Sequence, residues 1–168
     1  MNNLNNDSIN EIIYLIKDDN LGLAQDKVES LLLESPSSDI LLNLRGTIFL
    51  KRKEYDIAQS NFIEALKINP HFISAKLNLG IVYQNLGKSE EALNCYKEIT
   101  RIKNTLPVVY NNMGFILYTQ NKYSEAIKEL NKAIELKKDY AEAYLNLGMV
   151  HLNLKKYQEA IKFFDQSL

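Results

Sequence analysis

Residues 107–140 read PVVYNNMGFILYTQNKYSEAIKELNKAIELKKDY and contain two apolar patterns with a helical period, separated by a short break. In the first pattern, Tyr110, Met113 and Leu117 share one helical face. Asn121, a residue type that tolerates a left-handed turn, follows this pattern. The second pattern forms another apolar stripe, at Tyr123, Ala126, Ile127, Leu130, Ala133 and Ile134. The stretch therefore predicts two helices joined by a tight turn.

The same pattern recurs along the chain at a spacing of 34 residues. Glycine occupies one phase of the repeat, and alanine occupies another, at Ala24, Ala58, Ala92, Ala126 and Ala160. The units are 5–38, which is divergent, then 39–72, 73–106, 107–140 and the incomplete 141–168. One hairpin cannot bury its apolar face alone, so neighbouring hairpins must stack. We expect a single array over residues 1–168, an all-α, right-handed superhelical solenoid of helix-turn-helix repeats with a concave and a convex side.

The eighth position of four units holds a glycine, at Gly46, Gly80, Gly114 and Gly148. A glycine inside a helix costs roughly 1 kcal/mol relative to alanine, so a packing requirement must offset that cost. The alanine at position 20 of each unit lies on the partner helix. We expect each glycine to face this alanine, because two small residues let the helix backbones approach closely.

These residues carry a family resemblance, which the third unit shows at Leu79, Gly80, Tyr83, Ala92 and Tyr96. The pattern resembles the tetratricopeptide repeat (TPR) over residues 5–168. The first unit departs from it, since Ile12 stands where the glycine is expected. The resemblance implies a solenoid that acts as a protein-interaction scaffold.

Composition excludes several other classes of protein. The chain has 168 residues, 46% of them hydrophobic, and a formal net charge of -1. Apolar residues are too plentiful for intrinsic disorder, and no apolar run is long enough to cross a membrane. The near-zero charge provides no field that would attract nucleic acid. The N-terminal residues lack the basic and apolar regions of a signal peptide. We expect a cytoplasmic protein with neither a nucleic-acid nor a membrane partner.

Candidate catalytic groups are few and scattered. His151 falls on the apolar face of its helix, where we expect it to be packed, and His71 falls in a turn beside Pro70, where we expect it at the surface. Cys95 has no histidine or basic neighbour in its own unit that would activate it. No phosphate-binding loop, zinc-protease motif or nucleophile elbow is present. We expect no enzymatic activity, no metal and no cofactor.

The TPR resemblance implies that ligands bind to the concave face, at positions 2, 5, 6, 9, 12 and 13 of each unit. The predicted groove residues are Asn43, Asn78, Asn85, Asn111, Asn112, Phe115, Tyr118, Asn146, Met149 and Asn153. An asparagine amide both donates and accepts, so a ladder of amides suits the backbone of an extended, weakly charged peptide. The alternative is that these asparagines are structural and bridge neighbouring helices.

Two functions of related families do not fit this sequence. Co-chaperones of the TPR family bind acidic tails through a carboxylate clamp, which needs lysine at position 5 and asparagine at position 9 of one unit. Position 5 here holds Ile9, Asn43, Leu77, Asn111 and Leu145, so the clamp is absent. Pentatricopeptide proteins, which bind RNA, have a 35-residue unit and are basic, whereas this chain has a sequence pI of 6.1.

The last unit has no evident polar capping helix, since Val150, Leu152, Ile161, Phe163 and Leu168 are all apolar. Solenoids need polar caps because a terminal repeat exposes the face meant for its neighbour. We therefore expect either self-association through this uncapped repeat or a longer natural protein. In the second case the array resembles the N-terminal substrate-recruiting arm of O-linked N-acetylglucosamine transferase-like enzymes, with the catalytic domain outside this chain.

Overall fold

The computed structural model describes residues 6–168, which form ten α-helices and no β-strand. The helices are α1 (Asn6–Lys17), α2 (Leu21–Glu34), α3 (Asp39–Lys51), α4 (Tyr55–Ile68), α5 (Ile73–Asn85), α6 (Ser89–Ile102), α7 (Pro107–Thr119), α8 (Tyr123–Leu136), α9 (Ala141–Asn153) and α10 (Tyr157–Asp165). Each predicted unit contains two of them. The predicted fold class, an all-α solenoid of helical hairpins, is confirmed. None of the helices in residues 6–168 is long and apolar enough to cross a membrane.

The chain divides into two compact units, Met1–Lys88 and Ser89–Leu168. In the first, α3 packs against α1, α2, α4 and α5. In the second, α7 packs against α6, α8 and α9, and α9 also packs against α8 and α10. Within each unit, therefore, the first helix of a hairpin contacts its own partner and the neighbouring hairpin. The single array of five hairpins stays a prediction, because α5 and α6 of the third hairpin fall in different compact units.

The turns inside the hairpins share a left-handed residue at one position of the repeat. The prediction for Asn121 is confirmed by its φ of 59°, and Gly87 has a φ of 73° at the equivalent place. Lys53 and Lys155 adopt the same conformation, with φ angles of 63° and 58°. In the last of these turns, the Lys155 N–H donates to the Leu152 carbonyl at 3.0 Å and closes the end of α9. The hairpin geometry therefore holds even where the residue is a lysine, which carries no turn signal.

Three helical glycines, Gly46, Gly114 and Gly148, make room for a large side chain, and at Gly114 the predicted close approach to the alanine is also present, since an added Cβ would lie 3.3 Å from the main-chain O of Ala126. A Cβ added to Gly46 would lie 2.6 Å from a ring carbon of Phe62, and one added to Gly114 would lie 2.6 Å from Cγ of Leu130. At Gly148 the added atom would collide with the ring of Phe164. Each of these side chains comes four residues after the alanine, one turn further along the same face of the second helix. The alanines themselves are buried in the core beside them.

The divergent first hairpin packs as the others do. Ile12, which replaces the expected glycine, is fully buried, as are Ala24 and Val28 on α2. Lys27 and Glu11 form an ion pair at 3.0 Å across the outside of this hairpin. The first unit therefore keeps the hairpin without the glycine, because an isoleucine side chain there is accommodated within the α1–α2 core.

Candidate functional site

In the first compact unit, two of the predicted groove asparagines bind each other. Asn78 on α5 donates from Nδ2 to Oδ1 of Asn43 on α3 at 3.2 Å, and to the hydroxyl oxygen of Thr47 at 3.2 Å. The Thr47 hydroxyl in turn donates to the main-chain carbonyl of Asn43 at 2.8 Å. Asn43 is buried and Asn78 is half-buried. These bonds link the first helices of two neighbouring hairpins.

The second compact unit repeats this arrangement. Asn146 on α9 donates from Nδ2 to Oδ1 of Asn111 on α7 at 2.8 Å, and both side chains are buried. Asn112 differs, since its amide donates to the hydroxyl of Tyr96 on α6 at 3.3 Å. Tyr96 is fully buried, and burial raises the pKa of its hydroxyl above the ordinary value. We call the Asn43–Asn78 and Asn111–Asn146 pairs the asparagine clasps.

The asparagine clasps favour the structural alternative for the amides in them. Buried amides that bond to each other satisfy part of their hydrogen-bonding capacity inside the protein. Asn43, Asn111 and Asn146 present little surface to a ligand. The spacing of the asparagines in the sequence could have identified the pairs. In each pair the asparagine that accepts precedes the asparagine that donates by 35 residues, one more than the 34-residue repeat. The predicted peptide contacts of Asn43, Asn78, Asn111 and Asn146 therefore stay a prediction beside this structural role.

Two further predicted residues, Asn85 and Asn153, are exposed near the ends of first helices. Asn85 donates to the Ile81 carbonyl at 2.8 Å and accepts a bond from the Tyr55 hydroxyl at 3.1 Å. Asn153 donates to the Tyr118 hydroxyl at 2.9 Å. These amides remain in contact with solvent, so they can still present hydrogen-bonding groups to a ligand.

An apolar surface lies on the α7–α9 pair. On α9, Leu145, Met149 and Leu152 follow one another at helical spacing, and the two leucines are almost half exposed, at 45% and 47%. On α7, Phe115 and Tyr118 are half-buried, with ring centroids 6.3 Å apart. We call these five residues the apolar strip. Phe115, Tyr118 and Met149 were predicted groove residues, and Leu145 stands at position 5 of its unit, one of the positions that the TPR resemblance implies for the concave face, whereas Leu152 was not predicted.

Charge is scarce on the helices that carry the apolar strip. Within α7, Pro107–Thr119 contains no charged residue, and α9 carries only Glu142 together with His151. An apolar surface without nearby charges favours ligands that bury apolar side chains and carry few charges of their own. The strip therefore has the chemistry of a binding surface for apolar segments.

The candidate catalytic residues fall on different elements of the chain. The predicted packing of His151 is confirmed, since it is half-buried and its ring centroid lies 4.9 Å from that of Phe163. Burial, and then the nearby Lys156, lower the pKa of this imidazole. His71 is exposed, as predicted, and Cys95 is half-buried on α6. Residues 6–168 contain no group of three or more His, Cys, Asp or Glu side chains that could hold a metal ion.

Comparison with known families agrees with this geometry. Residues 73–105 and 143–168 each match a family described as tetratricopeptide repeat, and residues 116–155 match one described as TPR repeat. The chain belongs to the tetratricopeptide repeat family. The apolar strip and the clasp between α7 and α9 lie in TPR units that these matches partly cover.

Known TPR proteins resemble this chain in sequence or in fold. TPR repeat-containing protein MJ1428 of Methanocaldococcus jannaschii is 38% identical over 63 residues, which are 38% of this chain and 11% of that protein. The match thus spans about a tenth of the relative's length.

Three solved structures share the TPR fold at low identity. MamA from Desulfovibrio magneticus RS-1 is 16% identical, with a TM-score of 0.83 and coverage of 95% of this chain and 90% of that one. Pseudomonas aeruginosa pilF is 18% identical, with a TM-score of 0.86 and coverage of 95% and 73%. YrrB, described as a TPR protein with an unusual peptide-binding site, is 19% identical, with a TM-score of 0.73 and coverage of 95% and 82%.

Proposed function

We propose that this TPR chain is a non-catalytic protein-interaction scaffold, and that its apolar strip binds an extended, weakly charged segment of a partner protein. The observation that carries the proposal is the exposure of Leu145 and Leu152 beside Phe115, Tyr118 and Met149, on helices with almost no charge. Burying such side chains against apolar groups of a ligand is favourable by about 25 cal/mol for each Å² of apolar surface that is removed from water.

The polar groups beside the strip suit a peptide backbone. Asn153 already bonds to Tyr118, and both lie within the solvent-accessible part of the α7–α9 surface. An amide and a phenol can exchange hydrogen bonds with peptide N–H and C=O groups whatever the ligand's sequence. In this proposal the apolar strip recognises the ligand through the ligand's apolar side chains, while Asn153 and Tyr118 bind the ligand's backbone.

The proposal retains the sequence-based hypothesis in a narrower form. It assigns peptide contact to Phe115, Tyr118, Met149 and Asn153, and leaves the asparagine clasps with a structural role. YrrB, which shares the fold, is described as having a peptide-binding site, and this adds support. The alternative role as a substrate-recruiting arm needs a catalytic domain outside this chain and stays a prediction.

Selection from a random 12-residue peptide library displayed on phage tests the proposal. We expect the chain to enrich peptides with several apolar side chains and little net charge, because the strip offers apolar contact and few charges. A variant with both Leu145→Glu and Leu152→Glu should enrich fewer of them. Failure to enrich any peptide above that variant, or enrichment of highly charged peptides, would contradict the proposal.

A further inference from the structure

Three aromatic rings form a continuous row on α7 and the start of α8. The ring centroids of Phe115 and Tyr118 lie 6.3 Å apart, and those of Tyr118 and Tyr123 also lie 6.3 Å apart. We call these three residues the aromatic row. All three side chains are half-buried, although α9 already packs against both α7 and α8. The accessible part of the rings is therefore what remains after the next hairpin is in place.

Two polar groups beside the aromatic row already accept a hydrogen bond within the protein. The Tyr118 hydroxyl oxygen accepts from the Asn153 amide at 2.9 Å. Oδ1 of the exposed Asn121 accepts from the Tyr123 hydroxyl at 2.6 Å. A phenol in this state keeps its own O–H to donate, and an amide whose oxygen is bonded keeps its NH₂ group. The row therefore offers a ligand two hydrogen-bond donors, the Tyr118 hydroxyl and the Asn121 amide nitrogen.

A proline-rich segment needs donors of this kind. Proline has no N–H, and a polyproline II helix makes no internal hydrogen bonds, so its carbonyl groups are left to pair with outside donors. Such segments dock in grooves that are lined by aromatic side chains. Two residues of this helix advance by about 6.2 Å, which is close to the 6.3 Å between successive centroids of the aromatic row.

The charge and the shape of the neighbouring surface agree with the same class of ligand. The α7 helix contains no charged residue, and a segment of prolines and apolar residues brings no side-chain charge of its own. A polyproline II helix has three residues per turn, so the side chains at every third position share one side. An apolar side chain at every third position would thus meet Leu145, Met149 and Leu152 of the apolar strip.

We propose that the ligand of the apolar strip is a proline-rich segment in the polyproline II conformation, with its proline rings on the aromatic row. The inference rests on the proposed function, because it names the class of peptide that the strip binds. Tyr118 and Asn121 donate to carbonyl groups of this ligand. Its preformed helix loses little conformational entropy on binding, which favours it over a flexible peptide of the same length.

Two synthetic peptides with blocked ends test the inference by fluorescence anisotropy with the full chain. The first consists of four Pro-Pro-Leu triplets. The second consists of four Gly-Ser-Leu triplets, so it keeps the leucines and the length but does not hold the polyproline II conformation. We expect the Kd of the first peptide to be at least about tenfold lower than that of the second.

A tyrosine variant tests whether the aromatic row makes this selection. Tyr118→Leu combined with Tyr123→Leu keeps apolar side chains but removes two of the rings, and we expect the ratio of the two Kd values to fall at least about threefold. The matched control, Tyr14→Leu combined with Tyr55→Leu, removes two tyrosines from the first compact unit and should keep the full ratio. Circular dichroism should show equal helix content for all three proteins.

Two results would overturn the inference. Equal affinity for the two peptides, or no detectable binding of the Pro-Pro-Leu peptide, would show that the ligand is not a polyproline II segment. A ratio that stays unchanged in the tyrosine variant would show that the aromatic row does not select the ligand. Neither result contradicts the proposed function, which fails only if the phage selection enriches no apolar peptide above Leu145→Glu/Leu152→Glu.

Discussion

Replacing Phe62 by alanine is expected to lower the free energy of unfolding by about 3–5 kcal/mol. The Phe62 side chain is fully buried, and its ring occupies the space that Gly46 leaves open on α3. Removing the ring therefore leaves a cavity between α3 and α4 that neighbouring side chains can fill only in part. Urea-induced unfolding followed by circular dichroism measures the effect.

Leu33→Ala is the matched control for this prediction. Leu33 is 87% exposed on α2, so its removal should change the free energy of unfolding by no more than about 0.5 kcal/mol. If Phe62→Ala proved as mild as this control, the pairing of helical glycines with large side chains would not be what holds the hairpins together.

Replacing Asn111 by alanine is expected to cost about 1–3 kcal/mol of stability. The Asn146 amide is buried and donates to Asn111 Oδ1 at 2.8 Å. Without that acceptor, one N–H of the buried amide loses its partner but stays out of water, and this desolvation is the source of the cost. Thermal or urea unfolding of the full chain measures the change.

A double replacement distinguishes a hydrogen bond from general packing. Asn111→Leu combined with Asn146→Leu removes both polar groups and keeps the branched shape of the side chain. We expect the double variant to recover most of the stability lost in Asn111→Ala, because no buried polar group is left unpaired. A double variant that loses as much stability as Asn111→Ala, or more, would contradict the structural role of the clasp.

The repeat made the helical architecture predictable from sequence. Periodic apolar residues give the helix faces, and turn-tolerant residues such as Asn121 and Gly87 mark the breaks between helices. The same logic holds at Lys53 and Lys155, where the repeat spacing predicts a turn although lysine itself does not. Local patterns and long-range spacing agree in this chain, and such agreement makes a fold easy to predict.

The partner of each glycine was harder to predict. Ala126 and Leu130 lie one turn apart on the same face of α8, so the sequence pattern places both toward α7. Both meet Gly114, since an added Cβ would lie 2.6 Å from Cγ of Leu130 and 3.3 Å from the main-chain O of Ala126, and only the three-dimensional packing shows that the leucine side chain is the nearer of the two. The side chain of Leu130 occupies the space.

The role of the asparagines was also undetermined by sequence, for a chemical reason. An amide suits a peptide ligand and a neighbouring amide equally well, because both offer one donor and one acceptor side. The decisive feature is that Asn43 pairs with Asn78 and Asn111 pairs with Asn146. The partners in each pair are 35 residues apart, so a comparison of units at the 34-residue repeat does not align them. Leu152 was missed as a groove residue because its exposure depends on which helices cover it.

A titration tests most directly whether ligands bind through the apolar strip. A peptide enriched by the phage selection is titrated into the unchanged chain, into Leu145→Glu/Leu152→Glu and into the control Leu23→Glu/Leu33→Glu, whose two leucines are exposed on α2. Binding through the apolar strip predicts at least about tenfold weaker binding to Leu145→Glu/Leu152→Glu on α9, or about 1.4 kcal/mol, and unchanged binding to the control. Equal affinity for the α9 variant and the unchanged chain would contradict it.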